Sequence, residues 1–220
     1  MRNVWFIRNS LTGALFCAFL AGCSGQFYQI DDGQSDAFIR SAPAAIRLQS
    51  GYERARAASL ASDGNGNSIA VWQEWNGSRY NIWVNRNFYS SGWETATLIE
   101  SDDSIDATAP EVGISGDGSA IAVWQYWTGS AYQIRFNRYD PVSGWSASAA
   151  QVAASSPSKI SPEIGMDSQG NAMVAWLQVE AGHFAVYASR YVSGSGWDTP
   201  SLIGGAAAES SNLQLAVDSE

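Results

Sequence analysis

Ser161-Pro-Glu-Ile-Gly-Met-Asp-Ser-Gln-Gly-Asn-Ala-Met-Val-Ala-Trp-Leu-Gln-Val179 is the stretch that decides the fold. Two apolar runs, 161–167 and 172–179, flank a Ser-Gln-Gly-Asn turn. A second polar turn, 180–183, leads into 184–191, where apolar and polar residues alternate. A third turn, 193–196, leads to a fourth run at 197–203. Alternation bounded by Gly, Asn and Ser clusters is the signature of strands joined by tight hairpins. The stretch therefore predicts four short antiparallel strands.

The pattern recurs. Trp72, Trp124 and Trp176 stand 52 residues apart, and so do the pairs Gly92-Trp93, Gly144-Trp145 and Gly196-Trp197. Leu60, Val112, Ile164 and Leu215 mark the first strand of each copy, and the residues after them (Ala61, Gly113, Gly165, Ala216) are all small. Two markers that keep one period through three copies indicate internal repetition. Four strands in about 50 residues is the size of a β-propeller blade. The expected fold is all-β, with blades at about 58–100, 110–153 and 161–205. An outer strand at 43–50 aligns with the fourth strand of a blade, and 213–220 aligns with the start of another, so the propeller is read as incomplete. The blade pattern, with a Gly-Asn/Ser-Ala-x-Ala-Val-Trp second strand and a Gly-Trp turn, resembles bacterial β-propeller repeat lipoproteins of uncharacterised function. That resemblance implies architecture and leaves activity open.

The N-terminus reads as an address. Arg2 and Arg8 precede a short apolar core at 11–20, too short to span a bilayer comfortably. It ends in Leu20-Ala21-Gly22-Cys23, which resembles a lipoprotein lipobox. The resemblance implies removal of 1–22, lipidation of Cys23 and, with Ser24 following, sorting to the outer membrane. Polar residues 23–42 are expected to be a tether. Cys17, the other cysteine, lies inside the signal, so no disulfide is expected.

The chain carries 21 acidic and 12 basic residues, a net charge of −9. That surface repels phosphate backbones, and nucleic acid is not expected as a partner. The partners expected are the membrane, through the lipid, and a glycan or a protein.

Repetition sorts the side chains. A single reaction centre is not copied into every blade, so residues present in each copy are scaffold or a repeated site. Trp72, Trp124 and Trp176 are expected between blades, and Trp93, Trp145 and Trp197 at blade edges. Arg86, Arg138 and Arg190 end each third strand as structural cations, the alternative being a repeated sugar contact. Near the second hairpin the copies diverge: Trp75, Asn76, Arg79, Tyr80 and Trp83 in the first, Tyr126, Trp127, Tyr132 and Arg135 in the second, and Val179, His183 and Phe184 in the third. Rings beside such polar groups suit stacking on sugars, and they also suit a filled β-surface. Asp63-Gly-Asn-Gly-Asn67 reads as a hairpin turn, and neither a metal nor a cofactor is expected. No nucleophile accompanies His183, the only histidine. Paired carboxylates such as Glu111 and Glu163 recur at the start of inner strands; two carboxylates suit glycoside hydrolysis in principle, and a repeated strand-start position also suits a structural role. The function expected is a non-enzymatic, membrane-anchored binding module. The alternatives are a glycan hydrolase and an envelope assembly scaffold.

Overall fold

The structure is a computed structural model, described for residues 28–30, 37–41, 44–47, 54–100, 102, 104–153, 157–180, 182–204 and 213–217. The described residues contain no helix. Strands β1 (Tyr28–Ile30), β2 (Ala37–Ser41) and β3 (Ala44–Arg47) form an antiparallel sheet in that order. The segment read as a tether thus contains two strands. The strand read as a blade's outer edge pairs with β2, Ile39 opposite Ile46. The run Ala37-Phe-Ile-Arg-Ser41, with the strand formers Phe38 and Ile39 at its centre, gives a local partner that alignment between repeats does not see.

Three repeated antiparallel sheets follow. The first has β4 (Ala55–Ser62), β5 (Ser68–Trp75), β6 (Tyr80–Phe88), β7 (Gly92–Trp93) and β8 (Thr97–Leu98). The second has β9 (Ala107–Ile114), β10 (Ala120–Trp127), β11 (Tyr132–Asp140), β12 (Gly144–Trp145) and β13 (Ala150–Gln151). The third has β14 (Lys159–Met166), β15 (Ala172–Glu180), β16 (His183–Val192), β17 (Gly196–Trp197) and β18 (Ser201–Gly204). Each is a four-stranded, propeller-type blade whose outer strand is broken into two pieces, both paired with the third strand. The expected unbroken run 197–203 is corrected here. Tyr191 faces Trp197 but Ala188 faces Ser201, a slip of one residue, and Pro200 within the gap has no N–H to give.

The inner strands begin earlier than the sequence pattern indicates. Ala57, Ala109 and Ser161 take positive φ (48°, 50° and 53°), and the pairing register shifts beside each. This is a β-bulge repeated in every blade. The extra residue inverts the alternation, so the apolar period is legible only after it. The preceding blade satisfies two of these bulges: Gln73 Oε1 accepts from the Ala109 N–H (2.8 Å) and Gln125 Oε1 from that of Ser161 (3.3 Å). Leu177 replaces the glutamine in the third blade.

The core lies between blades. Ile69, Val71, Ile82 and Val84 of the first pack on Ala122, Trp124 and Tyr126 of the second. Ile121, Val123 and Ile134 of the second pack on Ala172, Val174 and Trp176 of the third. Trp124 and Trp176 are fully buried there. Trp72, also buried, sits on the other face of the first blade with Trp83 and Trp93. Trp145 and Trp197 join the two seams, Trp197 edge-on to Phe136 of the second blade at 5.3 Å, so the Gly-Trp tryptophans hold neighbouring blades together as well as capping edges. The small residues of the inner strands have a steric cause. A Cβ on Gly113 would lie 2.8 Å from Met166 Cγ, and one on Gly165 would come closer still to Val217. β9 thus seats a side chain of β14, and β14 seats Val217.

Candidate functional site

Each blade has two ends. One carries the first and third turns. The other carries the second hairpin, at 76–79 and 128–131 and, in the third blade, where Glu180 pairs with His183. On this second rim the aromatic residues meet. Trp75 and Tyr80 are cross-strand neighbours with rings 5.2 Å apart at 61°, and Trp127 and Tyr132 repeat the arrangement at 4.8 Å and 54°. Tilted, edge-on contacts stabilise such pairs beyond their buried area. Trp127 is 36 % exposed, and the other three rings are half-buried. Val179 and Phe184 occupy the same register in the third blade.

The turns are set by short polar side chains. Asn76 Oδ1 accepts from the N–H groups of Ser78 and Arg79, both 2.9 Å, and Gly77 supplies φ 104°. Thr128 Oγ1 takes the N–H of Ala131 at 3.2 Å.

One residue joins the two aromatic pairs. Asp106 Oδ1 accepts from the Tyr80 N–H at 2.9 Å, and its carbonyl accepts from the Trp127 N–H at 3.5 Å. Ser158 repeats the device: its Oγ takes the Tyr132 N–H (3.0 Å) and its carbonyl that of Val179 (3.1 Å). The sequence reading missed both residues. Their signal was present, because they are oxygen-bearing residues 52 apart in the connection before each inner strand.

The remaining candidates go elsewhere. Tyr126 is 3 % exposed, and its hydroxyl donates to Asp102. Arg135 lies over the Tyr126 ring at 3.6 Å, with Nη1 3.8 Å from Asp102. The Ser104 hydroxyl (2.5 Å) and then the Tyr126 hydroxyl hold the Asp102 carboxyl down to about 2. Burial first, and the bond to Asp102 second, push the Tyr126 phenol up. Tyr126 is thus interior, and Arg135 is engaged from two sides in the seam below the rim. Trp83 opposes Trp72 on the far face of the first blade. Arg79 stands in the turn itself. The rim proper is Trp75, Arg79, Tyr80, Trp127 and Tyr132.

Arg86 bonds Glu94 at 2.6 Å and lies 4.0 Å over Tyr139 of the next blade, which is a structural ion pair and a blade-to-blade contact. Arg138 pairs with Asp140 at 3.4 Å. Arg190 is exposed on an open groove lined by Asp167, Met173 and Val217. The Asp63 and Asp167 carboxylates are occupied by their own turns: each bonds two backbone N–H groups and the amide of Asn67 or Asn171. No cluster of three or more metal-ligating side chains occurs among the described residues. His183 is exposed.

Glu111 and Glu163 lie within β9 and β14, beyond the bulge, rather than at the strand starts. The Ser59 hydroxyl donates to Glu111 Oε2 at 2.7 Å, linking the first two blades at their inner strands. Burial, with some repulsion from Glu163, pushes Glu111 up to about 7 against that hydrogen bond, and burial raises Glu163 as well.

No family model and no curated protein matches this chain. Its fold is similar to the crystal structure of a protein of unknown function from Dyadobacter fermentans DSM 18053, with a TM-score of 0.58 and 10% identity. The match covers 94% of this chain but 63% of that one, so this chain spans less than two thirds of that structure's length. At that identity the likeness concerns the fold alone.

Proposed function

We propose that this is an outer-membrane-anchored binding module that holds a glycan against the aromatic rim. The carrying observation is the placement of two tilted aromatic pairs on adjacent blades, tied together through Asp106. Half-exposed rings beside Asn76, Ser78 and Arg79 offer apolar faces for sugar C–H surfaces and polar groups for hydroxyls. A glycan array with the full chain tests this. Trp127→Ala should weaken the best ligand about tenfold or more, as expected for losing a central aromatic contact. An empty array beside a pull-down that returns a protein bound at the same rim would replace the glycan with a protein ligand.

The anchor rests on the Leu20-to-Cys23 box, which lies outside the described residues. Cys23→Ser should abolish labelling by fatty acid and move the protein out of the membrane fraction. Wild-type protein without label would remove the anchor from the proposal.

A second reading, glycan hydrolysis, is favoured by one observation: a carboxyl held up to about 7 beside a second carboxyl is suited to general acid catalysis. Turnover of a glycan panel that disappears in Glu111→Gln would support it, and absence of turnover by the wild type would end it.

A further inference from the structure

We propose that the rim takes an extended, uncharged glycan chain laid across successive blades, not a single sugar unit; this rests on the glycan reading above. Asp106 bonds Tyr80 of one blade through its side chain and Trp127 of the next through its carbonyl, so the two aromatic pairs are consecutive steps of one row. Ser158 makes the same two bonds to Tyr132 and Val179, which carries the row to a third step. That step keeps an apolar surface, Val179 at 36 % exposure beside Phe184, but with one ring in place of two. One sugar unit covers one step. A chain covers two or three, and each further step then adds through effective concentration what a single weak contact lacks.

Charge selects the class of chain. The rim and its connection carry Asp102, held ionised by Ser104, Tyr126 and Arg135, and also Asp106. The whole chain is at −9, and its one lysine, Lys159, is buried at a blade entry. Arg79 in the rim and Arg135 beside Asp102 balance Asp102 and Asp106 locally, so a polyuronate finds no excess of cations there and meets the overall −9 of the chain. The polar groups of the first two hairpin turns, Asn76, Ser78, Arg79, Thr128 and Ser130, suit hydroxyls and amides.

Asp106 is a positioning residue in this arrangement: it fixes the offset between steps without itself presenting a ring. Isothermal titration of the full chain would use cello-oligosaccharides and N-acetylated chito-oligosaccharides of two and six units, with a six-unit oligogalacturonate as the charged probe. One of the two uncharged hexamers should bind at least about tenfold more tightly than its dimer, the modest end of a linked-site gain. The oligogalacturonate should gain nothing. Asp106→Ala should lower hexamer affinity by a larger factor than dimer affinity, so that most of the hexamer's advantage is lost, whereas Asp106→Asn, which keeps an acceptor for the Tyr80 N–H, should restore it. Should Asp106→Ala fail to fold, Trp75→Ala and Trp127→Ala serve: hexamer binding should fall in both, dimer binding in one. A dimer that binds as tightly as its hexamer, with Trp127→Ala abolishing both, would overturn the chain while leaving the glycan reading standing. Tighter binding of oligogalacturonate than of either uncharged hexamer would overturn the uncharged class. No binding by any probe would overturn both readings.

Discussion

Trp124→Ala should destabilise the protein by about 3–5 kcal/mol, the range for truncating a large buried aromatic side chain. Trp124 is fully buried between the first two blades, against Ile69, Val71, Ile82 and Val84 on one side and its own sheet on the other. The cost is one of packing alone, because the indole Nε1 has no hydrogen-bond partner among the described residues. The space left is walled by β-branched residues on paired strands, which collapse little. Trp124→Phe should cost much less, since it keeps a ring in the seam and removes an unsatisfied donor. The related tryptophans differ in this respect: Trp72 Nε1 donates to Glu74 at 2.7 Å, and Trp176 Nε1 reaches Gln178 at 3.4 Å. Trp72→Phe should therefore cost more than Trp124→Phe, because a buried carboxylate loses a donor. Urea unfolding of the two Phe variants and of Trp124→Ala checks this order. A loss under about 1 kcal/mol for Trp124→Ala would mean that the seam is not the cooperative core.

Much of this was legible in the chain because a repeat writes each structural rule three times. The burial of Trp124 and Trp176 followed from mid-strand position, and the small Gly113 and Gly165 from crowding at the inner strands. What escaped was whatever breaks a simple period. The bulges at Ala57, Ala109 and Ser161 invert the alternation, so the strand starts were misplaced. The outer strands slip in register after the Gly-Trp pair, which an apolar count cannot show. At the rim, the sequence picked out the rings but could not divide them by face. Trp75 and Trp72 lie three residues apart on one strand and so point to opposite sides. Trp83, opposite Trp72, goes with the far face, and Tyr126 turns into the seam while its neighbour Trp127 stays at the rim. Asp106 and Ser158 differ in residue type, so the 52-residue match between them stands out only in the bonds both make to the neighbouring hairpins.

Stability should rise as the pH falls from 8 to about 5, and Glu111→Gln should abolish most of the part of that slope that Glu111 contributes. Glu111 has an ordinary value of 4.5 and is raised to about 7 in the fold, chiefly by burial between the inner strands. A carboxyl whose folded value lies above its unfolded one holds its proton longer in the native state. Its penalty is absent below the unfolded value, grows as pH climbs from 4.5, and is complete above about 7. Full conversion of that difference gives about 3 kcal/mol, and roughly 2 kcal/mol is the fairer expectation for a half-buried group coupled to a second carboxyl. Glu163 is raised in the same direction, so Glu163→Gln should flatten the same window less steeply while relieving Glu111 of a like charge. The carboxyls held low, Asp102 foremost, act with the opposite sign and in a separate window: their stabilisation is present above the ordinary value of 3.8 and is lost only below it. Burial lowers Lys159 from its ordinary value of 10.5. The inner-strand glutamates are the described carboxyls raised from their ordinary values, and their effect falls between pH 4.5 and 7. Glu111→Gln should be more stable than wild type by about 2 kcal/mol at pH 8 and nearly equal to it at pH 4.5, since glutamine retains an acceptor for the Ser59 hydroxyl. Urea midpoints at the two pH values decide it. A wild-type midpoint that rises from pH 5 to 8 would place Glu111 in water, leaving nothing at the inner strands for either a proton-linked seam or a general acid.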